Sequence, residues 1–172
     1  SLTLEPIAAM NVIIPPEVRL INIALVDIGA GTSDIAISQN GSIVAYAMST
    51  VAGDEITEEI IRNYIVDFET AEQMKLSGYK TVRLHTGDPS LYGAIREQMD
   101  ILDKENIEYK DILGFDHSVP TSEFFASLFP AVGSLAENIS DNIIKANGQP
   151  PAAVFLVGGG SLIPDLAKIV AE

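Results

Sequence analysis

The run Ile21-Asn22-Ile23-Ala24-Leu25-Val26 is almost continuously apolar and stops at Asp27, which predicts a strand over Ile21–Asp27. Two further strands are predicted over Asp34–Gln39 and Ser42–Ser49. Asn40-Gly41 between them is the strongest short hairpin signal in the chain. Helical patterns follow at about 54–67 and 69–77. A strand over Thr81–Leu84 then leads into a helix with Asp88 as N-cap and Pro89 at its first position, reaching about Lys104. Ile95, Met99 and Leu102 recur on that helix at three- and four-residue steps, a stripe able to pack on a sheet. The remainder reads as a strand near 107–112, a helix from Thr121 to Ala146 with a kink or break at Pro130, and a strand Ala152–Val157. A last helix is predicted over Leu162–Ala171 with Ser161 as N-cap. The fold class is α/β, a mixed sheet with flanking helices. No internal repeat or low-complexity tract interrupts it.

Composition narrows what such a fold can do. A chain of 172 residues with 47% hydrophobic content can bury one core with a smaller subdomain attached. No apolar run reaches the roughly 20 residues that span a bilayer, and no leader peptide is recognisable. With no cysteine, disulfides and thiolate chemistry are excluded, which is compatible with the cytoplasm, the location expected here. A formal net charge of −14 argues against nucleic acid and anionic membranes, both of which require Lys and Arg. A bound nucleotide would have to be received locally by N–H groups, hydroxyls and a divalent cation, against the overall field.

Two glycine-rich loops carry the candidate chemistry. Asp27-Ile28-Gly29-Ala30-Gly31-Thr32-Ser33-Asp34 runs a strand through a turn of small residues into the next strand. Gly29 and Gly31 let backbone N–H groups approach an anion, Thr32 and Ser33 add hydroxyls, and Asp27, with Asp34 beside it, can hold a hydrated metal. A hairpin whose glycines serve only the turn is the alternative. The second loop, Gly158-Gly159-Gly160-Ser161, ends the last strand and opens the last predicted helix, whose first N–H groups would face a ligand. A purely structural strand-to-helix turn is its alternative.

Together the two loops resemble the phosphate and adenosine motifs of the actin, sugar-kinase and DnaK-type ATPase superfamily, and the flavour is that of FtsA and PilM. Glu5-Pro6-Ile7-Ala8-Ala9 and Gly53-Asp54-Glu55-Ile56-Thr57 resemble further elements of that lobe. Ala71-Glu72-Gln73-Met74-Lys75 resembles the helix whose Glu and Lys face ribose and adenine. Glu108–Gly114 and Asn147–Val154 also suit FtsA-like chains. The resemblance implies a ribonuclease-H-like, actin-type ATPase lobe over 1–77 and 105–172, binding ATP or ADP with magnesium. Its site would comprise Gly29, Gly31, Thr32, Ser33, Gly53, Glu72, Lys75, Gly158, Gly159, Gly160 and Ser161, with Asp27 toward the metal. The family's first phosphate motif has no match in this sequence, nor do its membrane-targeting tail and partner-binding subdomain. Weak nucleotide binding without efficient turnover is therefore expected. The implied partner is the complementary N-terminal lobe or another actin-like or cell-division protein, and oligomers are compatible with that. A non-catalytic interaction module, or an engineered chimera that keeps the fold without the ligand, is the competing reading.

Residues 78–104 resemble something else. Val82-Arg83-Leu84-His85-Thr86-Gly87-Asp88-Pro89-Ser90-Leu91-Tyr92-Gly93 and the residues to Met99 are similar to cobalt-precorrin-4 C11-methyltransferases, in which the Gly-Asp-Pro turn helps to form the S-adenosylmethionine site. That family's N-terminal glycine motif is missing, so methyl transfer and an adenosylmethionine cofactor are not expected. The segment reads as an inserted strand–helix unit, a chimera or insertion. His85 and His117 lie in unrelated contexts without a ligand pair, and no serine has a His and acid arrangement. The acidic run Asp54-Glu55 with Glu58-Glu59 suits a helix start, and Tyr92 suits packing.

Overall fold

The computed structural model describes residues 5–86 and 105–171. In chain order the elements are α1 (Glu5–Ile13), β1 (Ile23–Ile28), β2 (Ser33–Gln39), β3 (Ser42–Ser49), α2 (Gly53–Tyr64), α3 (Phe68–Thr86), β4 (Asn106–Lys110), β5 (Asp116–Pro120), α4 (Thr121–Asn147), β6 (Ala153–Val157) and α5 (Leu166–Ala171). They divide into two compact units, Ser1–Asp54 with Gly133–Glu172, and Glu55–Val132.

The first unit is built on a mixed sheet of order β3-β2-β1-β6. β1 pairs antiparallel with β2 and parallel with β6, and β2 pairs antiparallel with β3. Being interior, β1 buries Ile23, Ala24, Leu25, Val26 and Ile28 completely, which is why its sequence is continuously apolar rather than alternating. Met10 and Ile14 pack on one face with Ile23, Leu25 and Ala36. The starts of β1 and β6 are registered by polar contacts. Asn22 and Asn147 exchange side-chain amide hydrogen bonds at 2.8 and 2.7 Å, and the Ala152 N–H donates to the Asn22 carbonyl at 2.8 Å. Asn40 and Gly41 both adopt positive φ, 53° and 76°, the pair of dihedrals that a two-residue hairpin requires.

In the second unit, β4 and β5 form an antiparallel hairpin. Phe124 of α4 is fully buried and meets Tyr64 of α2 and the adjacent Phe125. The Asp111 carboxylate organises the hairpin loop by accepting the Leu113 and Phe115 N–H groups, both at 2.9 Å, and contacting His117 Nε2 at 2.9 Å. These bonds, with that from His117 foremost, hold Asp111 below the usual carboxylate range.

Four sequence expectations are corrected. Thr81–Leu84 is helical, not a strand, because α3 runs on to Thr86. Gly78, which could pass for a helix stop, instead permits close packing: a Cβ there would lie 3.0 Å from Phe125 Cζ and 3.1 Å from Phe124 Cε1. The predicted helix with Asp88 as N-cap, Pro89 and Tyr92, and the Gly87-Asp88-Pro89 turn, lie outside the described residues. A second hairpin strand, β5, follows β4 where none is predicted; its sequence Asp-His-Ser-Val-Pro has little apolar signal, and Ser118, His117 and Asp116 are exposed. Of the kink or break expected at Pro130, the break does not occur: α4 passes through as one helix, since buried Leu128, Val132 and Leu135 hold the turns on either side of the missing hydrogen bond.

The fourth correction concerns the chain after β6. Gly159–Leu162 forms a short 3-10 turn, and the α-helix begins only at Leu166. Pro164 pushes Ile163 out of the helical region, to φ −60° and ψ 122°. Ser161 therefore does not cap a helix; its hydroxyl donates back to the Gly158 carbonyl at 2.7 Å.

Candidate functional site

Parallel strands β1 and β6 end side by side, with Asp27 opposite Val157, and each runs directly into a glycine-rich loop. The carboxyl ends of adjacent parallel strands are where α/β sheets place ligands, because the chain leaves the sheet there and opens a crevice. Gly158 draws the loops together. It has φ 81° and ψ 177°, and a Cβ on it would meet Asp27 Oδ1 and lie 2.6 Å from the Ile28 carbonyl oxygen. Gly160 packs as closely, its missing Cβ falling against the Ile28 side chain and 3.1 Å from its carbonyl oxygen.

The β1–β2 turn is pinned from behind by the start of α2. The Gly29 carbonyl accepts the Gly53 N–H at 3.1 Å, and the Ala30 carbonyl accepts the Asp54 N–H at 2.8 Å. In a trans peptide the C=O and N–H point in opposite directions. Fixing the carbonyls of Gly29 and Ala30 toward α2 therefore aims the N–H groups of Ala30 and Gly31 the other way, out of the turn. Gly29 through Thr32 are exposed, and among the described residues no backbone carbonyl takes the N–H of Ala30, Gly31 or Thr32. Gly159 is also exposed, and open space surrounds the place of its Cβ. Successive outward N–H groups on a turn form a concave anion receptor.

The candidate residues do not share one role. Thr32 is exposed and its hydroxyl is available. Ser33 is fully buried and donates its hydroxyl to the Val51 carbonyl at 2.8 Å, so it builds the turn rather than facing outward. Gly53 serves as the clamp on the turn. Its own Cβ position is 3.0 Å from the Gly29 oxygen, so a side chain there would displace the clamp. Asp27 and Asp34 stand directly opposite each other on β1 and β2. Among the described residues neither carboxylate has a hydrogen-bond or ion-pair partner. Like charges so placed repel, and a bound cation would remove the repulsion. Asp54, missed as a site residue, has Oδ2 3.7 Å from the Cβ position of Gly31. Its place beside Gly53 in the Gly53-Asp54-Glu55-Ile56-Thr57 motif, and in the acidic helix start, was the sequence signal that pointed to it.

The family model for "Cell division protein FtsA" matches residues 24–172, nearly the whole chain. The chain belongs to the FtsA family. Cell division protein FtsA of Pseudomonas aeruginosa is 33% identical over 76 residues, 44% of this chain and 18% of that protein. A second similarity runs to the cobalt-precorrin-4 C(11)-methyltransferase of Priestia megaterium, 29% identical over 160 residues, 82% of this chain and 58% of that enzyme. The chain thus spans less than two thirds of either relative. Among solved structures, the PilM-PilN type IV pilus biogenesis complex matches with a TM-score of 0.66 at 17% identity, over 99% of this chain and 39% of that one. MreB5 of Spiroplasma citri bound to ADP matches with a TM-score of 0.58 at 25% identity, over 94% of this chain and 48% of that one. These neighbours give the fold as that of actin-like ATPases. No helix of the described residues is long and apolar enough to cross a membrane.

Glu72 and Lys75 of this FtsA-family chain belong to the second unit, where they form a polar triangle with Thr57. Lys75 Nζ donates to Thr57 Oγ1 at 2.7 Å and pairs with Glu72, while the buried Thr57 hydroxyl donates to Glu72 Oε1. Desolvation raises the Glu72 pKa, but the hydrogen bonds from Lys75 and Thr57 and the Lys75 charge outweigh it and hold the carboxyl below its ordinary value. A carboxyl with a depressed native pKa contributes stability above its unfolded pKa and loses it as pH falls through the native value. Thr57→Val should accordingly cost about 1–2 kcal/mol near neutral pH. That difference should shrink as pH falls below the ordinary glutamate value and through the depressed native one, as Glu72 takes up its proton. Urea unfolding of both proteins across this range measures it; a difference independent of pH would assign the cost to packing alone.

Proposed function

We propose that this chain is a nucleotide-binding lobe of an FtsA-like cell-division or actin-like protein, receiving the phosphates of ATP or ADP together with magnesium. The observation that carries the reading is the pair of peptides pinned by Gly53 and Asp54, whose Ala30 and Gly31 N–H groups point outward beside the Gly158–Ser161 turn. Gly29 and Gly158 shape the cradle, Gly31, Thr32 and Gly159 face the anion, and Gly160 and Ser161 hold the second turn. Asp27, with Asp34 opposite, fits a hydrated divalent cation, which would neutralise two unpaired carboxylates and draw a polyphosphate to an otherwise acidic chain. The ADP-bound state of the MreB5 relative supports the choice of ligand.

The lobe is incomplete as an ATPase, because one anion cradle supplies no group to orient water on the opposite side of the terminal phosphate. The rest of that machinery comes from the part of FtsA-like proteins that these residues do not span, or from another actin-like or cell-division protein, in the cytoplasm. The inserted segment over 78–104 is proposed on the local motif alone; α3 runs without interruption through its first nine residues, and residues 87–104 lie outside the described residues.

Calorimetric titration with Mg-ADP and Mg-ATP, with S-adenosylmethionine as the comparison, tests the proposal. Saturable heat with the nucleotides is expected. Gly159→Val should abolish that heat without unfolding the chain, because its side chain enters the open space at the turn. Silence with both nucleotides from a cooperatively folded sample would favour a structural or interaction module. Heat with adenosylmethionine alone would move the site to the methyltransferase-like segment.

A further inference from the structure

The clamp on the anion turn is itself held by a chain of hydrogen bonds inside the first unit. Ser49 donates its hydroxyl to Asn138 Oδ1 at 2.5 Å and accepts the Val51 N–H at 3.0 Å, and the Val51 carbonyl takes the Ser33 hydroxyl at 2.8 Å. Asn142 Nδ2 donates to the same Asn138 Oδ1 at 3.1 Å and to the Asn138 carbonyl at 2.8 Å, which fixes the rotamer of Asn138. Val51 is thus gripped at both its donor and its acceptor. Two residues further on, Gly53 and Asp54 deliver the N–H groups that pin Gly29 and Ala30. Ser33 and Ser49 are paired across β2 and β3, so both grips on Val51 come from one register position of the sheet.

We infer that Ser49 and Asn138 are positioning residues for phosphate recognition: they set the connection from β3 to α2, and through Gly53 and Asp54 they set the outward direction of the Ala30 and Gly31 N–H groups. Among the described residues neither side chain hydrogen-bonds to Gly29–Thr32. Asn138 lies on α4, more than a hundred residues from the turn in sequence, and no motif marks it. The inference rests on the anion-cradle reading for its functional meaning, but its structural core can be tested without ligand.

The first N–H groups of a helix have no acceptor within that helix. Protection of the Gly53 and Asp54 amides from hydrogen exchange therefore reports the bonds to Gly29 and Ala30 specifically. In the full chain, Asn138→Leu, which keeps the number and branching of side-chain heavy atoms and removes the acceptor, should speed exchange at Gly53 and Asp54 about tenfold, the scale of one lost hydrogen bond. Leu25 and Ile35 in the core should be unchanged. Ser49→Ala should act likewise and serves if Asn138→Leu does not fold, while Ser49→Thr should retain protection. With ligand, Asn138→Leu should weaken Mg-ADP about tenfold and leave adenosine, which has no phosphate, unaffected. Unchanged protection at Gly53 and Asp54 in folded variants, or an equal loss throughout the core, would overturn the inference. Absence of ADP binding by the parent chain would instead remove the functional proposal, leaving the exchange result to decide the positioning role.

Discussion

Gly158→Ala is expected to destabilise the chain by about 4 kcal/mol, whereas alanine at the neighbouring Gly159 should change stability by less than about 0.5 kcal/mol. The contrast follows from geometry, since the two glycines are adjacent and chemically identical. At Gly158 a side chain meets two penalties. The dihedrals φ 81° and ψ 177° belong to a region that residues with a Cβ hardly enter. In addition, the added carbon would sit 2.6 Å from the Ile28 oxygen and 3.0 Å from the Ile28 carbonyl carbon, backbone atoms of the central strand that cannot rotate away. Gly160→Ala should fall between them, at about 2–3 kcal/mol, because its clash is with the branched Ile28 side chain, fully buried and stiff at χ1. Gly159 has nothing within 4 Å of its Cβ position. Urea midpoints for the three variants check the order. Equal losses at all three would mean that the turn is needed only as a flexible link.

Much of the fold was legible because burial and local pattern agree. The continuous apolar run before Asp27 became the interior strand, and Asn40-Gly41 became the hairpin turn, each through a local rule that tertiary contacts did not override. What stayed hidden depends on partners remote in sequence. Gly78 is an ordinary helix weakener until Phe124 and Phe125 are packed on it, and only then does it stop signalling an end to α3. β5 could not be seen because exposed polar residues form it, held by pairing with β4 rather than by an apolar face. Pro164 did carry a readable signal against a helix starting at Leu162, through its effect on Ile163.

The candidate site shows the same division. Composition and spacing located both loops, since glycines after apolar strands are visible in one dimension. The direction of each peptide was not, because it is decided by the backbone N–H donors of Gly53 and Asp54, and these have no side-chain signature. Ser33 illustrates the cost of reading hydroxyls by position. In the sequence it is equivalent to Thr32, but the two-residue period of the strand sends it inward to Val51 while Thr32 stays exposed.

Asp27→Asn should make the ligand-free chain slightly more stable and nearly insensitive to Mg-ADP. In the sheet register Asp27 faces Asp34 across antiparallel strands, and removing one of two directly opposed carboxylates should relieve about 0.2–1 kcal/mol of repulsion. The surrounding chain carries a net charge of −14, so no background field compensates that repulsion. An unpaired acid at this position adds nothing to stability by itself, which is the behaviour that the proposed cation role predicts. A ligand that binds only the folded chain stabilises it by mass action, about 2.7 kcal/mol at a hundredfold excess over its dissociation constant. If the cation bridges Asp27 and the phosphates, most of that gain should disappear in Asp27→Asn, and the same should hold for the parent chain when magnesium is chelated. Thermal unfolding of both proteins, each with ADP, with Mg-ADP and without ligand, separates the cases. A variant that loses stability without ligand yet keeps its full response to Mg-ADP would make Asp27 a structural carboxylate packed against Gly158, and would move the metal from the end of β1 to another part of the site.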